Sequence, residues 1–235
     1  MRTILIILTY LIVGLSGCTT VARGTLKTPV APTEQLVIGT LENPIVDSDL
    51  TLAEALKKYA PVKFQARQKL IEVLYYSFDG KIHRGQLLIE KRLIGDIQKV
   101  FQVALESKFP INSVIPISHK RFYNNGKYNQ DNQSMLANNT SAFNYRTVTG
   151  GKKLSMHAYG YAVDINPLQN PYIKGPVVLP YGATYDLRKP GTLNRNSAVV
   201  KTFIRLGWSW GGEWESLKDY QHFEKVLSKN KLKLK

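Results

Sequence analysis

A histidine and an aspartate stand close together in one short stretch of the chain, Ser155 to Pro167. His157 and Asp164 lie seven residues apart, with small residues such as Gly160 between them. An imidazole nitrogen and a carboxylate oxygen are both ligands that Zn²⁺ accepts. Small residues let the backbone turn sharply or pack closely, so the two side chains could face one point. A histidine and an aspartate at this spacing also occur by chance, so a metal site needs further ligands elsewhere in the chain.

A third candidate ligand, His222, lies near the end of the chain. Two histidines and one aspartate would leave a tetrahedral Zn²⁺ with one open position, which is typical of a catalytic rather than a structural site. A nearby carboxylate that is not a ligand could then act as general base toward water. Four acidic residues are available for that role by position: Asp219, Glu213, Glu215 and Glu224.

Other residues of the same chemical types have a simpler interpretation. The chain has four histidines. His83 and His119 stand in hairpin and strand contexts without carboxylate partners, so we expect ordinary surface or packing residues. The three tryptophans are expected to fill the core, because aromatic side chains chiefly do so; they are Trp208, Trp210 and Trp214.

Several motifs taken together resemble one family. They are Ser-x-His-x-x-Gly-x-Ala-x-Asp-Ile-Asn-Pro from Ser155, Ala-Phe-Asn-Tyr-Arg ending at Arg146, Gly-Trp-x-Trp-Gly-Gly-x-Trp from Gly207, and Asp-Tyr-Gln-His-Phe-Glu from Asp219. This set is similar to the zinc D-alanyl-D-alanine carboxypeptidases of the vancomycin-resistance type, over roughly Leu70 to Glu224. The resemblance implies a hedgehog/DD-peptidase α+β fold, one Zn²⁺ per chain and peptidoglycan stem peptides as substrate.

The resemblance also implies a role for each matching residue. Asp219 matches the general base, with Glu213 as a competitor. Arg146 matches an arginine that binds substrate oxygens, although it could instead be a surface salt-bridge partner. Ser155 stands where the family places a residue facing the substrate. Three residues match the zinc ligands: His157, Asp164 and His222.

The implied reaction is hydrolysis of a peptide bond, with removal of a terminal D-alanine as the preferred hypothesis. An endopeptidase that cuts L-Ala–D-Glu or cross-bridge bonds is a competing hypothesis. A non-catalytic lipoprotein that binds peptidoglycan is an alternative from another class. An open metal site accompanied by a base argues against a pure binding protein, which needs neither.

Residues 1–17 are typical of a signal peptide. Arg2 supplies a positive start, and the apolar run from Ile4 to Leu15 falls short of the ~20 residues that a spanning helix needs. The run ends at Cys18, the only cysteine of the chain, in a Leu-Ser-Gly-Cys sequence that resembles a bacterial lipobox. We therefore expect a cell-envelope protein with a lipid anchor on Cys18. Since Thr19 is not the Asp of inner-membrane retention, a source with two membranes would carry it on the outer membrane, facing the periplasm.

The charge of the chain is strongly positive, +15 at pH 7. Such a balance favours nucleic acid, anionic lipid or an acidic polymer as partner. An exported protein does not normally meet nucleic acid, so we expect no nucleic-acid partner. Cell-wall glycopeptide carries free carboxylates and fits the charge.

Local patterns predict the elements that must position the candidate site. A capping box at Thr51 predicts a short helix that runs to Tyr59. Asp79-Gly80, between two β-rich runs, predicts a hairpin. Apolar residues at helical spacing predict one helix from Leu93 and another after Ser197. We expect residues 18–50 to form a tether and 51–235 to form one monomeric α+β domain, with a small, mostly antiparallel sheet and flanking helices.

Overall fold

The computed structural model describes residues 37–56, 60–123 and 130–227. The predicted signal peptide, Cys18 and the first part of the predicted tether lie outside these residues. Residues 57–59, which the predicted first helix includes, also lie outside them.

The described residues form a mixed α+β structure of short helices and small sheets. The α-helices are α1 Leu52–Ala55, α2 Val62–Gln65, α3 Ile94–Glu106, α4 Gln130–Leu136 and α5 Ala198–Arg205. The 3₁₀ helices are Lys91–Leu93, Lys120–Phe122, Met156–Tyr159 and Gly211–Glu213. In the part of the chain that the structure describes, no helix has the length and apolar character needed to cross a membrane.

The strands are mostly two or three residues long. They are β1 Ile45–Val46, β2 Gln68–Tyr76, β3 Ile82–Glu90, β4 Ser113–Val114, β5 Asn139–Thr140, β6 Ala162–Asp164, β7 Tyr172–Lys174, β8 Val177–Leu179, β9 Ser209–Trp210, β10 Lys218–Asp219 and β11 His222–Glu224. Within the described residues they form four sheets, in the orders β1-β3-β2, β4-β5, β6-β11-β9 and β10-β7-β8. The expectation of one small sheet was therefore wrong. Pro167 and Pro171 help to explain this, since proline cannot donate to a ladder and so limits the strands beside it.

The predicted hairpin is confirmed. Strands β2 and β3 pair antiparallel over their whole length, from Gln68 opposite Glu90 to Tyr76 opposite Ile82. The turn holds Gly80 at a positive φ of 79°, and the carboxylate of Asp79 accepts a hydrogen bond from the backbone N–H of Lys81 at 3.0 Å. A positive φ suits glycine, which has no Cβ to clash.

The described part of the predicted tether belongs to the folded unit. Residues 37–50 lie in the same compact unit as the rest of the described chain, and Ile45 pairs in parallel with His83 of β3. The side chain of Gln86 accepts hydrogen bonds from Ser48 Oγ and from the backbone N–H of Leu50, both at 2.7 Å. Gln86 lies 38 residues after Ser48 and 36 residues after Leu50, so no local sequence pattern predicts the contact.

The predicted helices are present, and two of them begin at the predicted caps, but α1 ends at Ala55 and not at Tyr59 as expected. Thr51 and Glu54 make the expected capping box at the start of α1. The side chain of Ser197 accepts from the backbone N–H of Val200 at the start of α5. The buried face of α3 carries Ile97, Val100, Phe101 and Ala104.

The main hydrophobic core lies beneath the β6-β11-β9 sheet. Phe223 of β11 is fully buried and stacks on Phe203 of α5, with ring centroids 3.9 Å apart. Trp208 and Trp210 are buried in the same cluster, as expected. Because β11 is the central strand of its sheet, this packing fixes the strand that carries His222.

His83 has acidic neighbours that the sequence did not suggest. Its Nδ1 lies 3.1 Å from Asp47 Oδ2, and its Nε2 lies 3.2 Å from Asp79 Oδ2. Tyr75 donates a hydrogen bond to the same Asp47 carboxylate. The expectation that His83 has no carboxylate partner was therefore wrong, because Asp47 arrives from the segment that was assigned to the tether. His119 does cap a 3₁₀ helix, where its Nδ1 accepts from the backbone N–H of Arg121 at 3.2 Å.

Gly160 joins the 3₁₀ helix Met156–Tyr159 to strand β6. Its φ is 71°, in the left-handed region. A Cβ at this position would lie 2.1 Å from Gln68 Oε1 and 2.9 Å from the backbone nitrogen of Glu90. Both conditions favour glycine. Gly160 therefore lets the chain pass closely over the hairpin between the two parts that carry His157 and Asp164.

Candidate metal centre

Three buried side chains converge at one point. His157, Asp164 and His222 offer ligand atoms that all lie within 4.8 Å of one another. His157 Nε2 lies 3.1 Å from Asp164 Oδ2, and His222 Nδ1 lies 2.9 Å from Asp164 Oδ1. The two histidine nitrogens are 3.1 Å apart. Ligands about 2.0–2.1 Å from a tetrahedral Zn²⁺ are roughly 3.3 Å apart, so this donor set fits the ion closely.

Two of these residues face each other across neighbouring strands. Asp164 ends β6 and His222 begins β11, and the antiparallel register places them directly opposite one another. Residues opposite each other on one face of a sheet have Cβ atoms about 4.5–5.5 Å apart. The pair therefore meets because of the strand register, which a spacing of 58 residues in the sequence could not show.

His157 is positioned by a short 3₁₀ helix and a neighbouring extended segment. Ser155 caps the helix, and its hydroxyl accepts from the backbone N–H of His157 at 3.3 Å. His157 O accepts a hydrogen bond from Asn144 N at 3.1 Å, while its Nδ1 lies 2.6 Å from the carbonyl oxygen of Ala142. A carbonyl oxygen only accepts, so Nδ1 carries the proton and Nε2 faces the other two candidate ligands.

The outer nitrogen of His222 also has a partner. Its Nε2 lies 3.0 Å from Glu224 Oε2. Glu224 follows two residues later on the same strand, so both side chains lie on one face of β11. The atoms left facing the shared point are therefore His157 Nε2, His222 Nδ1 and the carboxylate of Asp164.

The electrostatics of this group are strongly coupled. Burial alone would raise the pKa of Asp164, but the charges and hydrogen bonds of His157 and His222 hold that pKa well below its usual range. Burial alone would lower the pKa of His222, but its hydrogen bonds to Asp164 and Glu224 raise it to about 10. The buried carboxylate of Asp164 thus stays charged because it lies next to the positively charged His222. A bound metal ion would provide the same kind of positive neighbour.

Asp219 approaches from a different sheet. It lies on β10, opposite Tyr172 of β7, and it lines a cleft of about 320 Å³ together with His157 and His222. Burial raises the pKa of Asp219 to about 6, and although the charge of His222 works against this rise, that of Asp164 adds to it. A carboxyl group with a pKa near neutrality is well suited to proton exchange.

The backbone of Asp219 needs a glycine beside it. A Cβ on Gly211 would lie 2.4 Å from Asp219 O and 2.9 Å from its Cβ. The first glycine of the Trp-Gly-Gly-x-Trp run therefore lets the 3₁₀ helix Gly211–Glu213 pack directly on β10. This gives a physical reason for a small residue in that motif.

The structure separates the four candidate carboxylates. Asp219 and Glu224 line the cleft together with His157 and His222. Glu213 is exposed and forms an ion pair with Arg195 outside the cleft. Glu215 is exposed and does not line the cleft. The competing assignment of Glu213 as the base therefore finds no support in its position.

Arg146 and Ser155 both line the same cleft. The guanidinium of Arg146 forms an ion pair with Asp131 of α4, with Nε 2.9 Å from Oδ2. Asn144 donates to the other oxygen of that carboxylate at 2.8 Å. Asp131 is a residue that sequence reasoning missed, because it belongs to a polar stretch without a recognisable motif. Ser155 is buried and holds the helix of His157 through its cap.

The cleft is also lined by Tyr172, Lys174 and Trp214. Trp214 packs against His222 with ring centroids 5.4 Å apart. Trp214 therefore packs, as expected, but on a candidate ligand at the cleft and not in the core, since it is partly exposed there. Lys174 is exposed and adds a second cation to the cleft beside Arg146. No sequence signal distinguished it from the other lysines.

A family model described as D-alanyl-D-alanine carboxypeptidase matches residues 149–225. This segment includes the three candidate ligands and Asp219, but it leaves Arg146 just outside. The similarity suggests zinc peptidase activity on peptidoglycan and supports the resemblance seen in the motifs. No curated protein and no solved structure matches the chain.

The protonation of His222 predicts how zinc binding depends on pH. With its pKa raised to about 10, His222 is an imidazolium at neutral pH and carries two ring protons. A metal ion must displace one of them. Raising the pH lowers the competition from protons, so apparent zinc affinity should rise, by up to about tenfold per pH unit for one proton released. Chelator competition between about pH 6 and about pH 8 tests this, with the chelator's own pH dependence measured in parallel. An affinity that stays constant over this range would contradict the prediction.

Proposed function

We propose that the protein is a zinc-dependent peptidase that hydrolyses peptidoglycan stem peptides, with release of terminal D-alanine as its reaction. The observation that carries the proposal is the buried group of His157, Asp164 and His222, two of whose members, His157 and His222, line a cleft that Asp219 also lines. The match of residues 149–225 to a D-alanyl-D-alanine carboxypeptidase model supports the same assignment. The proposed fold is a single hedgehog/DD-peptidase-like domain.

The three ligands would hold one Zn²⁺, which would polarise the scissile carbonyl and lower the pKa of a bound water to about 7. His157 and His222 would each offer an unprotonated ring nitrogen to the ion once the imidazolium of His222 has lost one of its two ring protons. Asp164 offers a carboxylate whose charge is already favoured by its neighbours. The open side of this group faces the cleft, where a peptide can approach.

Asp219 would act as the general base and then as the general acid. Its carboxylate would take a proton from the attacking water and pass it to the leaving amine. The partial burial of Asp219 keeps its affinity for a proton high enough for this exchange, since its pKa is raised to about 6. Gln221 donates to Asp219 Oδ1 at 3.2 Å, which helps to orient the carboxylate.

Arg146 would bind an oxygen of the substrate. Its ion pair with Asp131 fixes the guanidinium at the cleft before substrate arrives. A planar guanidinium can contact a carboxylate through two parallel hydrogen bonds. The preferred contact is the free carboxylate of the terminal D-alanine, and we propose that Ser155 faces the substrate nearby.

The proposed location is the bacterial cell envelope, with a lipid on Cys18 as the anchor; in a source with two membranes, this would be the outer membrane, with the peptidase domain facing the periplasm. The lipobox-like Leu-Ser-Gly-Cys run and the single cysteine support this proposal. The positive charge of the chain also suits a polymer that carries free carboxylates.

Substitutions at Asp219 and His222 separate the base from a ligand. Asp219→Asn keeps the shape of the side chain but cannot accept a proton at neutral pH, so zinc should remain bound while kcat falls by ~10²–10⁴-fold. His222→Ala removes a donor, so zinc affinity and activity should fall together. Bound zinc and turnover of a defined muropeptide are measured on the same preparations, with products identified by mass spectrometry.

Glu213→Gln is the matched control, because Glu213 pairs with Arg195 outside the cleft and should tolerate the change. An active, zinc-loaded Asp219→Asn protein would refute the assignment of the base. Internal fragments in place of free D-alanine would identify an endopeptidase. A zinc-loaded wild type that leaves every muropeptide intact would support the non-catalytic alternative.

Arg146→Lys tests the proposed substrate contact. Lysine keeps the charge but loses the planar fork that suits two parallel contacts. We expect kcat/KM to fall by as much as ~10²–10³-fold, with zinc content unchanged. Arg195→Lys is the control, since Arg195 lies outside this cleft. Near-normal kinetics of Arg146→Lys would show that Arg146 is only a partner of Asp131.

Cys18→Ala tests the anchor. The variant should carry no lipid and should no longer sediment with membranes, whereas its activity on soluble muropeptides should persist because the cleft residues are unchanged. Fractionation followed by mass spectrometry of the N-terminal peptide measures both properties. If the variant still sediments with membranes after a high-salt wash, the lipoprotein proposal is wrong.

A further inference from the structure

Glu224 makes a contact that the proposed chemistry does not yet use. Its Oε2 lies 3.0 Å from His222 Nε2, on the side of the ring away from the other ligands. The contact with Asp164 is made by the other nitrogen, Nδ1, at 2.9 Å. The imidazole of His222 is therefore held between two carboxylates, one at each nitrogen.

The position of Glu224 is set by the backbone around it. Strand β11 is the centre of its sheet, and Glu224 pairs with Ala162 on one side and with Ser209 on the other. Ser209 Oγ also donates to the carbonyl oxygen of Glu224 at 3.2 Å. Alternation along the strand places Glu224 on the same face as His222. Its carboxylate thus comes from a fixed strand rather than from a mobile loop.

The contact selects one tautomer of His222. A carboxylate that accepts a hydrogen bond at Nε2 requires the ring proton to be there once the imidazole is neutral. Nδ1 is then left with a free lone pair directed at Asp164 and His157. Trp214 packs against the same ring and limits its rotation.

We propose that Glu224 is a positioning residue of the metal centre, which presents His222 to a bound Zn²⁺ through Nδ1 by accepting a hydrogen bond from the Nε2–H group. The carbonyl oxygen of Ala142 does the same for His157, whose Nδ1 donates at 2.6 Å so that Nε2 is presented. This inference rests on the proposed zinc site but not on the identity of the substrate. The inference gives Glu224 a different role from Asp219, since Glu224 contacts Nε2 of His222, the ring nitrogen that faces away from the other candidate ligands.

The expected effect follows from what such partners do elsewhere. Loss of a hydrogen-bond partner behind a metal-binding histidine typically weakens metal affinity by ~10–100-fold. Glu224→Ala should therefore raise the Kd for zinc by about that factor. Glu224→Gln keeps the shape and an acceptor oxygen but loses the charge, so its Kd should fall between those of wild type and Glu224→Ala.

The experiment measures zinc affinity and the ring nitrogens of His222 in the same full-length proteins. Kd values come from chelator competition with Zn²⁺ alone, and nitrogen-15 NMR of labelled histidines reports which nitrogen binds zinc and which carries a proton. Glu215→Gln is the matched control, because this exposed glutamate does not line the cleft. The wild type should show His222 bound through Nδ1 with a protonated Nε2, and the control should match it.

Two results would overturn the inference: a Glu224→Ala or Glu224→Gln protein that binds zinc as tightly as wild type, or a wild type in which His222 binds zinc through Nε2. If Glu224→Ala fails to fold, Glu224→Gln decides the question, because its change in volume is small. A wild type that binds no zinc would instead refute the proposed metal site, and with it the proposed peptidase. If the protein binds zinc but hydrolyses no muropeptide, the zinc affinities and the NMR spectra still test the role of Glu224, because neither measurement depends on catalysis.

Discussion

The cross-strand pair of Asp164 and His222 is the contact on which the candidate site depends. The register of β6 and β11 places the two residues opposite each other, and the next pair, Val163 opposite Phe223, faces the core. A slip of one residue would exchange the two faces, because side chains alternate along a strand. It would then send Phe223 to the cleft and a ligand into the core. The same strand register is therefore required both for the core packing that stabilises the domain and for the geometry that could hold a metal ion.

A second constraint is electrostatic. Asp164, Asp219 and Glu224 bring three carboxyl groups close to two imidazoles, and burial makes isolated charges costly. The protein keeps Asp164 charged by pairing it with both histidines, while Asp219 is left with a raised pKa. A bound dication would change this balance, because it would be the largest local charge in the site. Asp164, the more buried and more strongly paired carboxylate, is thus suited to bind a metal ion. Asp219, which is less strongly paired, is suited to proton transfer.

Local signals in the sequence predicted the hairpin and the starts of two helices, and they singled out three candidate ligands that the structure brings together. The capping residues Thr51 and Ser197 and the Asp79-Gly80 turn each act within a few residues, so their patterns are readable directly. The remaining features depend on contacts across the fold. Asp47 reaches His83 over 36 residues, and Asp131 holds Arg146 from a polar stretch whose helix has no clear apolar pattern. Likewise, Trp214 lies at the cleft because of where the Gly-Gly run turns, which composition alone does not reveal.

Asp219 and His222 lie three residues apart, and they show why a motif can be recognised in the sequence while the positions of its side chains cannot be predicted from it. In a helix, residues three apart lie on one face; in a continuous strand they point to opposite faces. The structure has neither arrangement. Asp219 ends β10 in one sheet, the chain turns at Tyr220 and Gln221, and His222 begins β11 in another sheet. The backbone N–H of Ile165 donates to Gln221 O at 3.0 Å and ties this turn to the strand of Asp164. A change of sheet within two residues is what brings a carboxylate and an imidazole of such close spacing to the same cleft from different directions.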